Sequence, residues 1–349
     1  MATMQAVYLP GGSRVLIKSV PKPQPGPGQA LLKMRASTIC GSDVRAIYRE
    51  HLGEGPEAYQ NVIAGHEPAG EIVEVGPGVN PDRIGERCVV YHISGCGVCV
   101  DCRSGYQISC TGPTRRAYGW QRDGGHSEYL LTDVRDLVTL PPELSFVDGA
   151  CVACGFGTAY EALVQGEVSG RDDVVVTGLG PVGLALGLMA RKMGATKVVG
   201  LDVVPARRQR ALELGAVTDV ADSTDPTIGA QQVAAILGRP DANVCIDASG
   251  HPAAQKLALN LTARWGRCVL VGEGGEFSID ASPELIHRCI RLIGSWVTST
   301  VRMAELLERL VRWDLHPAMV VSHQLSIDQA AEAYQLADAG LAGKVALVQ

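Results

Sequence analysis

The chain has 349 residues, which predicts about two domains and enough length to bury a sizeable core. Its hydrophobic content of 46% is typical of a soluble globular protein, and its net charge of −6 gives no electrostatic footprint for nucleic acid or an anionic membrane. No apolar run is long enough to span a bilayer, and the first residues lack the layout of a signal peptide, so we expect a cytoplasmic protein.

The first part of the chain predicts a β-rich framework that carries two short polar motifs. Residues 1 to about 35 predict short strands around a turn rich in proline and glycine. The sequence C-G-S-D then contains Cys40 and Ser42, and the sequence G-H-E contains His66 and Glu67. A lone cysteine is often a core thiol, and a lone histidine is often a satisfied polar residue. Taken singly, these residues therefore predict no particular chemistry.

A cysteine-rich loop comes next. The eleven cysteines are an odd number in a long chain without a signal peptide, which favours metal binding over a disulfide framework. Four of them, Cys96, Cys99, Cys102 and Cys110, have the spacing C-x2-C-x2-C-x7-C, which predicts a closed tetrahedral zinc site. An iron–sulfur cluster is the alternative, although Thr111 stands where such motifs usually carry proline. A closed site has no open coordination position, so its role would be to stabilise this lobe.

The following stretch leads to the boundary of the second domain. Residues 146–163 predict two helical segments, and Cys154 lies between them. In the preceding stretch, Tyr118, Trp120 and His126 are candidates for lining a cleft. Packing in the core or on the surface explains each of these three side chains equally well.

A G-x-G-x-x-G motif follows a predicted strand at Val174–Thr177 and opens a predicted helix. Its glycines are Gly178, Gly180 and Gly183, which permit a tight turn, a close approach of a pyrophosphate to the backbone, and close packing of helix on strand. The free N–H groups at the start of the helix also favour phosphates. This context predicts a dinucleotide-binding loop.

The residues around this loop favour one cofactor. Pro181 and Val182 complete the loop, and Asp202 ends the next predicted strand, where its carboxylate can accept hydrogen bonds from the adenosine ribose hydroxyls. Asp202 would repel a 2′-phosphate, so we expect NAD in preference to NADP. Arg207 and Arg208 could hold that phosphate, which keeps NADP as the alternative, although a solvated helix face explains both arginines as well.

Beyond Asp202 the alternation of strands and helices continues. It predicts one doubly wound parallel sheet, the α/β class, and a final segment that returns to the first domain. The predicted helices of this region are 207–214, 228–237 and 253–263, and those of the final segment are 302–311 and 327–339.

With these motifs collected, the whole chain resembles the zinc-dependent medium-chain alcohol dehydrogenases, most closely the bacterial polyol, sugar and threonine dehydrogenase-like members. The resemblance implies a GroES-like β-barrel catalytic domain and a Rossmann domain with a cleft between them. We expect the catalytic domain at 1–155 with the cysteine lobe at about 95–111, the Rossmann domain at 156–291, and the return at 292–349. The motifs that carry the resemblance are C-G-S-D at 40–43, G-H-E at 65–67, the cysteine loop at 96–110, A-C-G-F-G-T-A-Y at 153–160, G-L-G-P-V-G at 178–183, and Asp202.

The resemblance also implies a role for each matching residue. Cys40, His66 and Cys154 match the ligands of a catalytic zinc, which with the cysteine loop makes two zinc ions per chain, one catalytic and one structural. Glu67 matches the acidic residue beside that zinc and is itself a ligand in some polyol-type members. Ser42 matches the hydroxyl that hydrogen-bonds the substrate oxygen.

Further residues concern the cofactor and the proton. Val271 and Gly272 match backbone that lines the nicotinamide site, and Arg207, just beyond Asp202, is a further candidate for cofactor binding. Arg45 stands where many members carry a histidine that passes the proton to solvent, and an arginine cannot act as a base near neutral pH. Arg45 could instead bind a cofactor phosphate or ribose oxygen, and His51 or water could complete the relay.

The resemblance predicts an oxidoreductase that moves a hydride between a secondary alcohol and NAD or NADP. The mixture of polar and aromatic side chains among the candidates for the substrate pocket favours a polyol, sugar-like or functionalised alcohol, with simple alcohols and their aldehydes or ketones as the alternative. These candidates are Ser42, Arg45, Tyr118, Trp120, Phe156 and Trp296. A zinc-free reductase of enones or quinones would lack Cys40, His66 and Cys154, and a non-catalytic binding protein would have a damaged site. We expect a small-molecule substrate, no nucleic acid or membrane partner, and a homo-oligomer, either a tetramer or a dimer.

Overall fold

The computed structural model describes residues 2–51, 58–340 and 343–349. They form two compact units, Met1–Gly157 with Thr298–Gln349, and Thr158–Val297. The second unit ends later than the predicted boundary at 291. The reason is the strand Arg291–Gly294, which pairs in parallel with the strand Thr262–Leu270 of the second unit. The expected return to the first domain at 292 therefore begins too early.

The second unit is built on one parallel sheet of six strands. The order of the strands places Asp173–Thr177 and Ala242–Asp247 side by side, at the point where the direction of winding reverses. In such sheets, ligands bind beyond the carboxyl ends of the strands at this switch point. In spatial order the strands are Asp219–Asp222, Lys197–Asp202, Asp173–Thr177, Ala242–Asp247, Thr262–Leu270 and Arg291–Gly294.

Helices accompany these strands, and the sequence shows why four of them begin where they do. Four of them start with a proline, whose fixed φ suits the first helical position and whose missing N–H would have no partner there. The strand residues Val174, Val175 and Val176 are fully buried, as expected for a central strand covered on both faces. The helices are Gly157–Gln165, Pro181–Lys192, Pro205–Glu213, Pro226–Leu237, Pro252–Leu261 and Ser282–Ile286.

The first unit is organised around one long strand, Gln29–Ile39, which pairs with three neighbours. Two of them bring distant polar residues to its carboxyl end. Thr38 lies opposite Glu67 at the start of the strand Glu67–Val75, and Ile39 lies opposite Val345 in the strand Lys344–Val348. This pairing gathers residues from the beginning, middle and end of the chain next to Cys40.

The remaining elements of the first unit surround this sheet. Its other strands are Thr3–Gly11, Arg14–Pro21, Arg87–Val90, Ile93–Ser94, Arg116–Ala117, Tyr129–Asp133, Leu137–Thr139 and Val321–Leu325. Its helices are Asp43–Arg49, Val100–Arg103, Phe146–Cys151, Val152–Phe156, Thr300–Trp313 and Ala330–Ala339, with single helical turns at Pro81–Arg83, Gln107–Ser109, Val134–Asp136, Pro317–Val320 and Ile327–Gln329. Among the described residues, none of the helices is long and apolar enough to cross a membrane.

Candidate active site

Four potential metal ligands of the first unit lie together at the carboxyl end of the strand Gln29–Ile39. The ligand atoms of Cys40, His66, Glu67 and Cys154 are all within 4.8 Å of one another. His66 and Glu67 are buried, whereas Cys40 and Cys154 are partly exposed. Two thiols and an imidazole are ligands that suit zinc. The donor set therefore fits a zinc ion, and two of its four residues are partly exposed.

A buried aspartate orients two members of this cluster. Asp43 Oδ1 lies 2.7 Å from His66 Nδ1, and Asp43 Oδ2 accepts a hydrogen bond of 2.9 Å from the backbone N–H of Cys40. Because Nδ1 of His66 is engaged, its Nε2 is left for a metal ion, an arrangement that is common around histidine ligands. No role was predicted for Asp43, although it lies within the C-G-S-D motif.

The electrostatics of the cluster favour a thiolate at one of the ligands. The hydrogen bond with Cys154 is the main cause that holds the pKa of Cys40 well below its ordinary value, and His66 acts in the same direction. Burial by itself would lower the pKa of His66, but the Asp43 carboxylate outweighs burial and raises that pKa well above its ordinary value.

Glu67 forms a buried ion pair with a lysine that the sequence analysis did not select. Lys344 Nζ lies 2.5 Å from Glu67 Oε2, and the side chains are 3% and 0% exposed, respectively. The hydroxyl of Thr38 donates a 2.6 Å hydrogen bond to the same oxygen. Burial raises the pKa of Glu67 against the opposing effect of Lys344, while Glu67 raises the pKa of Lys344 in spite of its burial. Glu67 Oε1 is buried and has no hydrogen-bond partner among the described residues.

The four loop cysteines also come together. The Sγ atoms of Cys96, Cys99, Cys102 and Cys110 lie within 4.8 Å of one another, with 4.0 Å between Cys96 and Cys102. Zinc–sulfur bonds of about 2.3 Å in a tetrahedron place the sulfurs about 3.8 Å apart. An iron–sulfur cluster inserts several atoms between its cysteines and needs a wider spacing. The geometry therefore favours a single ion over the cluster that the spacing left open.

Backbone N–H groups prepare the same loop for thiolates. Cys96 Sγ accepts from Cys99 N at 3.4 Å, and Cys110 Sγ accepts from both Cys96 N and Gly112 N at 3.3 Å. The N–H groups of Val98 and Cys99 lower the pKa of Cys96 to about 6, because they stabilise its charged form. Charge stabilised in this way is what a metal-binding loop requires.

In the second unit, the G-x-G-x-x-G motif forms the predicted turn between strand and helix. Gly178 has φ +88°, and a Cβ there would lie 2.8 Å from Ser249 Cβ. A Cβ on Gly183 would lie 1.8 Å from the carbonyl oxygen of Gly178. Side chains are therefore excluded from both positions. The helix Pro181–Lys192 starts directly after Gly180, so its free N–H groups lie at the loop, as a pyrophosphate site requires.

Asp202 lies at the carboxyl end of the neighbouring strand and is held from two sides. Its Oδ2 accepts from Leu179 N and its Oδ1 from Val204 N, both at 2.8 Å. Arg207 Nη1 is 3.8 Å from Asp202 Oδ2. Arg208 instead bonds to the Asp202 carbonyl oxygen and to the carboxylate of Asp222. Of the two arginines that could hold a 2′-phosphate, Arg208 is thus engaged within the protein.

Val271 and Gly272 lie at the carboxyl end of the sheet next to the same switch point. Their N–H groups donate to the carbonyl oxygen of Asp247, at 2.9 and 3.0 Å. The Asp247 carboxylate is fully buried and was not selected from the sequence. A conspicuous signal was present, since an acidic residue ends the apolar strand A-N-V-C-I-D.

The three residues expected to bind the substrate oxygen or to take part in the proton relay have distinct surroundings. Ser42 is partly exposed and makes no capping hydrogen bond to the helix that follows it. Arg45 is exposed on that helix. His51 Nε2 pairs with Asn61 Oδ1 at 3.0 Å, so this ring nitrogen is engaged away from the cluster.

The aromatic cleft candidates are mostly packing residues. Tyr118 is fully buried, and its hydroxyl donates to Asp136 Oδ2 at 2.9 Å, so core packing, the alternative that the sequence left open, describes this side chain. Burial raises the pKa of Asp136 to about 6. Trp120 packs on the hydrophobic core of the first unit. His126 is fully buried, with Tyr334 Oη 3.2 Å from its Nδ1, so it too belongs to the interior.

One histidine that the sequence analysis missed lies beside the cluster. The ring centroid of His92 is 5.3 Å from that of His66. Its Nδ1 donates to the carbonyl oxygen of Ala153 at 2.9 Å, which fixes the orientation of the ring. Burial lowers the pKa of His92 to about 4, so the imidazole is neutral near pH 7.

Two family descriptions match the chain. Residues 26–142 match the alcohol dehydrogenase GroES-like domain, and residues 181–312 match the zinc-binding dehydrogenase family. The first match covers most of the metal-binding unit up to residue 142, and the second begins within the glycine loop.

Curated relatives match over nearly the full length. An uncharacterized zinc-type alcohol dehydrogenase-like protein of Escherichia coli is 47% identical over 99% of both chains. An L-threonine 3-dehydrogenase of Shewanella frigidimarina is 30% identical over 94% of both chains.

Solved structures agree with the fold. An alcohol dehydrogenase from Escherichia coli, described as short chain and complexed with NADH, is 25% identical with a TM-score of 0.89 and full coverage of both chains. A putative zinc-binding dehydrogenase from Sinorhizobium meliloti bound to NADP is 27% identical with a TM-score of 0.87, again with full coverage. Both nicotinamide cofactors therefore occur among proteins of this fold.

Proposed function

The chain belongs to the zinc-dependent medium-chain alcohol dehydrogenase family, and from that premise we propose that Cys40, His66 and Cys154 hold its catalytic zinc. It is an NAD(P)-dependent oxidoreductase that transfers a hydride between a secondary alcohol and the nicotinamide. The observation that carries the residue assignment is the gathering of these donor atoms within 4.8 Å, from three separate parts of the chain.

The residues of the cluster have separate tasks. When bound, a zinc ion supplies Lewis-acid polarisation of the alcohol or carbonyl oxygen at this cluster. The two thiolates and Nε2 of His66 hold the ion, and Asp43 keeps His66 in the required tautomer. The unpartnered Oε1 of Glu67 supports the proposal that this carboxylate is an exchangeable fourth ligand.

Proton transfer falls to Ser42. Its hydroxyl accepts a hydrogen bond from the substrate hydroxyl and passes the proton on to water. The hydride moves from the substrate carbon that bears this hydroxyl to C4 of the nicotinamide. Arg45 cannot serve as a base. The pairing of His51 with Asn61 favours water over His51 as the final acceptor.

The second unit binds the cofactor. Gly178, Gly180, Pro181, Val182 and Gly183 form the pyrophosphate loop. The other proposed cofactor contacts are Asp202, Arg207, Val271 and Gly272.

The surroundings of Asp202 favour NAD. Its carboxylate is fixed by two backbone N–H groups and would repel a 2′-phosphate, while Arg208 is engaged elsewhere.

The cysteine loop would hold a structural ion, giving two zinc ions per chain.

A functionalised secondary alcohol is the substrate class that we propose. Ser42 is partly exposed two residues after Cys40, and the ring of His92 lies beside that of His66. These polar side chains suit a polyol, a sugar-like alcohol or an amino alcohol better than a plain alkyl chain. Relatives named as L-threonine 3-dehydrogenases and a sorbitol dehydrogenase point the same way. A cytoplasmic homotetramer or homodimer remains our prediction from the sequence.

The test is whether zinc-loaded protein catalyses the reduction of NAD or NADP by an alcohol. The absorbance of the reduced nicotinamide is measured with a panel of alcohols that includes L-threonine and sorbitol. We expect turnover that a chelator abolishes and that Cys40→Ser eliminates while NADH still binds. Cys151→Ala is the matched control, because this buried thiol lies three residues before Cys154 but outside the cluster. Near wild-type turnover of Cys40→Ser with verified metal content would contradict the assignment.

A further inference from the structure

We infer that Asp247 is a positioning residue for the dinucleotide, holding in register three backbone segments at its site: the Gly178 loop, the turn at 249–250 and the segment 271–272. The inference rests on the proposed function, because it concerns the same cofactor site. It goes beyond that function in assigning part of the cofactor affinity to a buried carboxylate that need not touch the cofactor itself.

The position of Asp247 is the first argument. It is the last residue of the strand Ala242–Asp247, which lies against Asp173–Thr177 in the sheet, with Asp247 opposite Thr177. These two strands flank the switch point, where dinucleotides bind beyond the carboxyl ends. Thr177 is followed directly by Gly178, the first glycine of the pyrophosphate loop.

The carboxylate of Asp247 gathers donors from both sides of the switch point. Its Oδ1 accepts from the hydroxyl of Thr177 at 2.8 Å, from the hydroxyl of Ser249 at 2.7 Å and from Ser249 N at 3.2 Å. Its Oδ2 accepts from Gly250 N at 2.9 Å. The hydrogen-bond donors seen in the described part of the chain are all neutral, so this carboxylate organises loops rather than an ion pair.

The main chain of Asp247 extends the same arrangement to the third loop. Its carbonyl oxygen accepts from Val271 N and Gly272 N, the two residues proposed to line the nicotinamide site. A Cβ on Gly272 would lie 2.1 Å from Gly250 N, so the two turns are in direct contact. On the other side, Ser249 packs against Gly178.

The loops thus depend on one another through Asp247. Cofactor binding in this fold uses backbone groups, whose hydrogen bonds weaken steeply with misalignment. A small shift of the turn at 249–250 would move both the Gly178 loop and the 271–272 segment. Loss of the carboxylate should therefore weaken cofactor binding even where the unit remains folded.

Two substitutions should give graded effects. Asp247→Ala removes all four contacts of the carboxylate. Asp247→Asn can keep its oxygen towards the three donors on the Oδ1 side, but it places an NH2 group against Gly250 N–H. The amide should therefore lose less affinity than the alanine.

The experiment is titration of each zinc-loaded protein with NADH, followed by nicotinamide fluorescence, with the melting temperature measured alongside. We expect the Kd for NADH to rise about tenfold or more in Asp247→Ala and about threefold in Asp247→Asn, as one or two lost net hydrogen bonds imply. The KM for NAD should rise in parallel, with kcat at saturating cofactor within about twofold of wild type.

Asp172→Asn is the matched control. Asp172 is a buried carboxylate of the same unit, placed just before the first residue of the strand Asp173–Thr177 and bonded to Ser169 and Arg267. It lies at the opposite end of the sheet, so its loss should lower the melting temperature while the Kd changes by less than about twofold. A shared effect on Kd in both variants would overturn the inference, since it would show general loosening of the unit.

An unchanged Kd in a folded Asp247→Ala protein would also overturn the inference. If that variant does not fold, the double variant Thr177→Val with Ser249→Ala tests the same idea, because it removes two donors and keeps the Cβ that contacts Gly178. Its Kd should rise about threefold, and no rise would refute the positioning role. Wild-type protein that fails to bind NADH at all would contradict the proposed function instead.

Discussion

Removing the Lys344 side chain tests how the first unit tolerates a buried charge beside its metal cluster. In Lys344→Met, the carboxylate of Glu67 keeps the 2.6 Å hydrogen bond from Thr38 but loses its cation. Breaking a buried ion pair by removing one partner costs about 3–5 kcal/mol. We expect a loss of this size, measured by urea unfolding of the metal-free protein, because a zinc ion beside Glu67 would itself offset the carboxylate charge.

The double variant separates the ion pair from the packing around it. In Lys344→Met with Glu67→Gln, no uncompensated charge remains, so we expect stability within about 2 kcal/mol of wild type. The coupling energy from the double-mutant cycle should then be at least about 2 kcal/mol. Thr38→Val should cost about 2 kcal/mol, since it removes a hydroxyl that donates to a charged carboxylate.

The chain provides a matched control for this experiment. Lys22 and Glu74 form a pair with the same 2.5 Å distance, but their side chains are 24% and 46% exposed. Lys22→Met should therefore cost less than about 1 kcal/mol. Equal losses in the two lysine variants, or additive effects in the cycle, would refute the argument that burial gives Lys344 its importance.

Three further predictions concern the two metal sites and one buried acid. Cys99→Ser should lower the zinc content from two ions to one and reduce the melting temperature, while kcat measured at low temperature stays within about twofold. Two ions retained in this variant would refute the structural site. Asp43→Asn should weaken zinc binding about 10- to 100-fold in a chelator competition, because it loosens His66; an unchanged affinity would remove Asp43 from that role. Asp136 has its pKa raised from 3.8 to about 6, so the folded state binds the proton more tightly and stability falls as pH rises from about 4 to about 6. Relative to wild type, Asp136→Asn should therefore gain about 3 kcal/mol between pH 4 and pH 8, and a pH-independent difference would contradict this cause.

Local patterns explain why parts of both sites could be predicted. The four cysteines lie between residues 96 and 110, so one continuous loop can bring their sulfurs together. The glycine loop is likewise contained in one strand, turn and helix, where Gly178 has a positive φ and a Cβ on Gly183 would meet the carbonyl oxygen of Gly178. Short-range geometry of this kind can be read from spacing alone.

Contacts between distant segments explain what the spacing missed. Lys344 comes from the last strand and meets Glu67 because both strands pair with Gln29–Ile39, and nothing in K-V-A-L-V indicates that partner. Asp43 was visible in its motif, but its contact with His66 depends on how two segments approach. The sequence left two positions open for Tyr118, because a buried tyrosine and one lining a cleft look alike until the hydroxyl partner is known.

The sequence by itself determined the α/β class, the dinucleotide loop and the cysteine site, because each rests on residue types at short fixed spacing. The tertiary structure alone decided that Arg291–Gly294 completes the parallel sheet, that Lys344 neutralises Glu67 and that Asp247 joins three loops. Each of these depends on which strands become neighbours. Strand pairing is set by the burial of whole faces of a sheet, a property of the assembled chain rather than of any one segment.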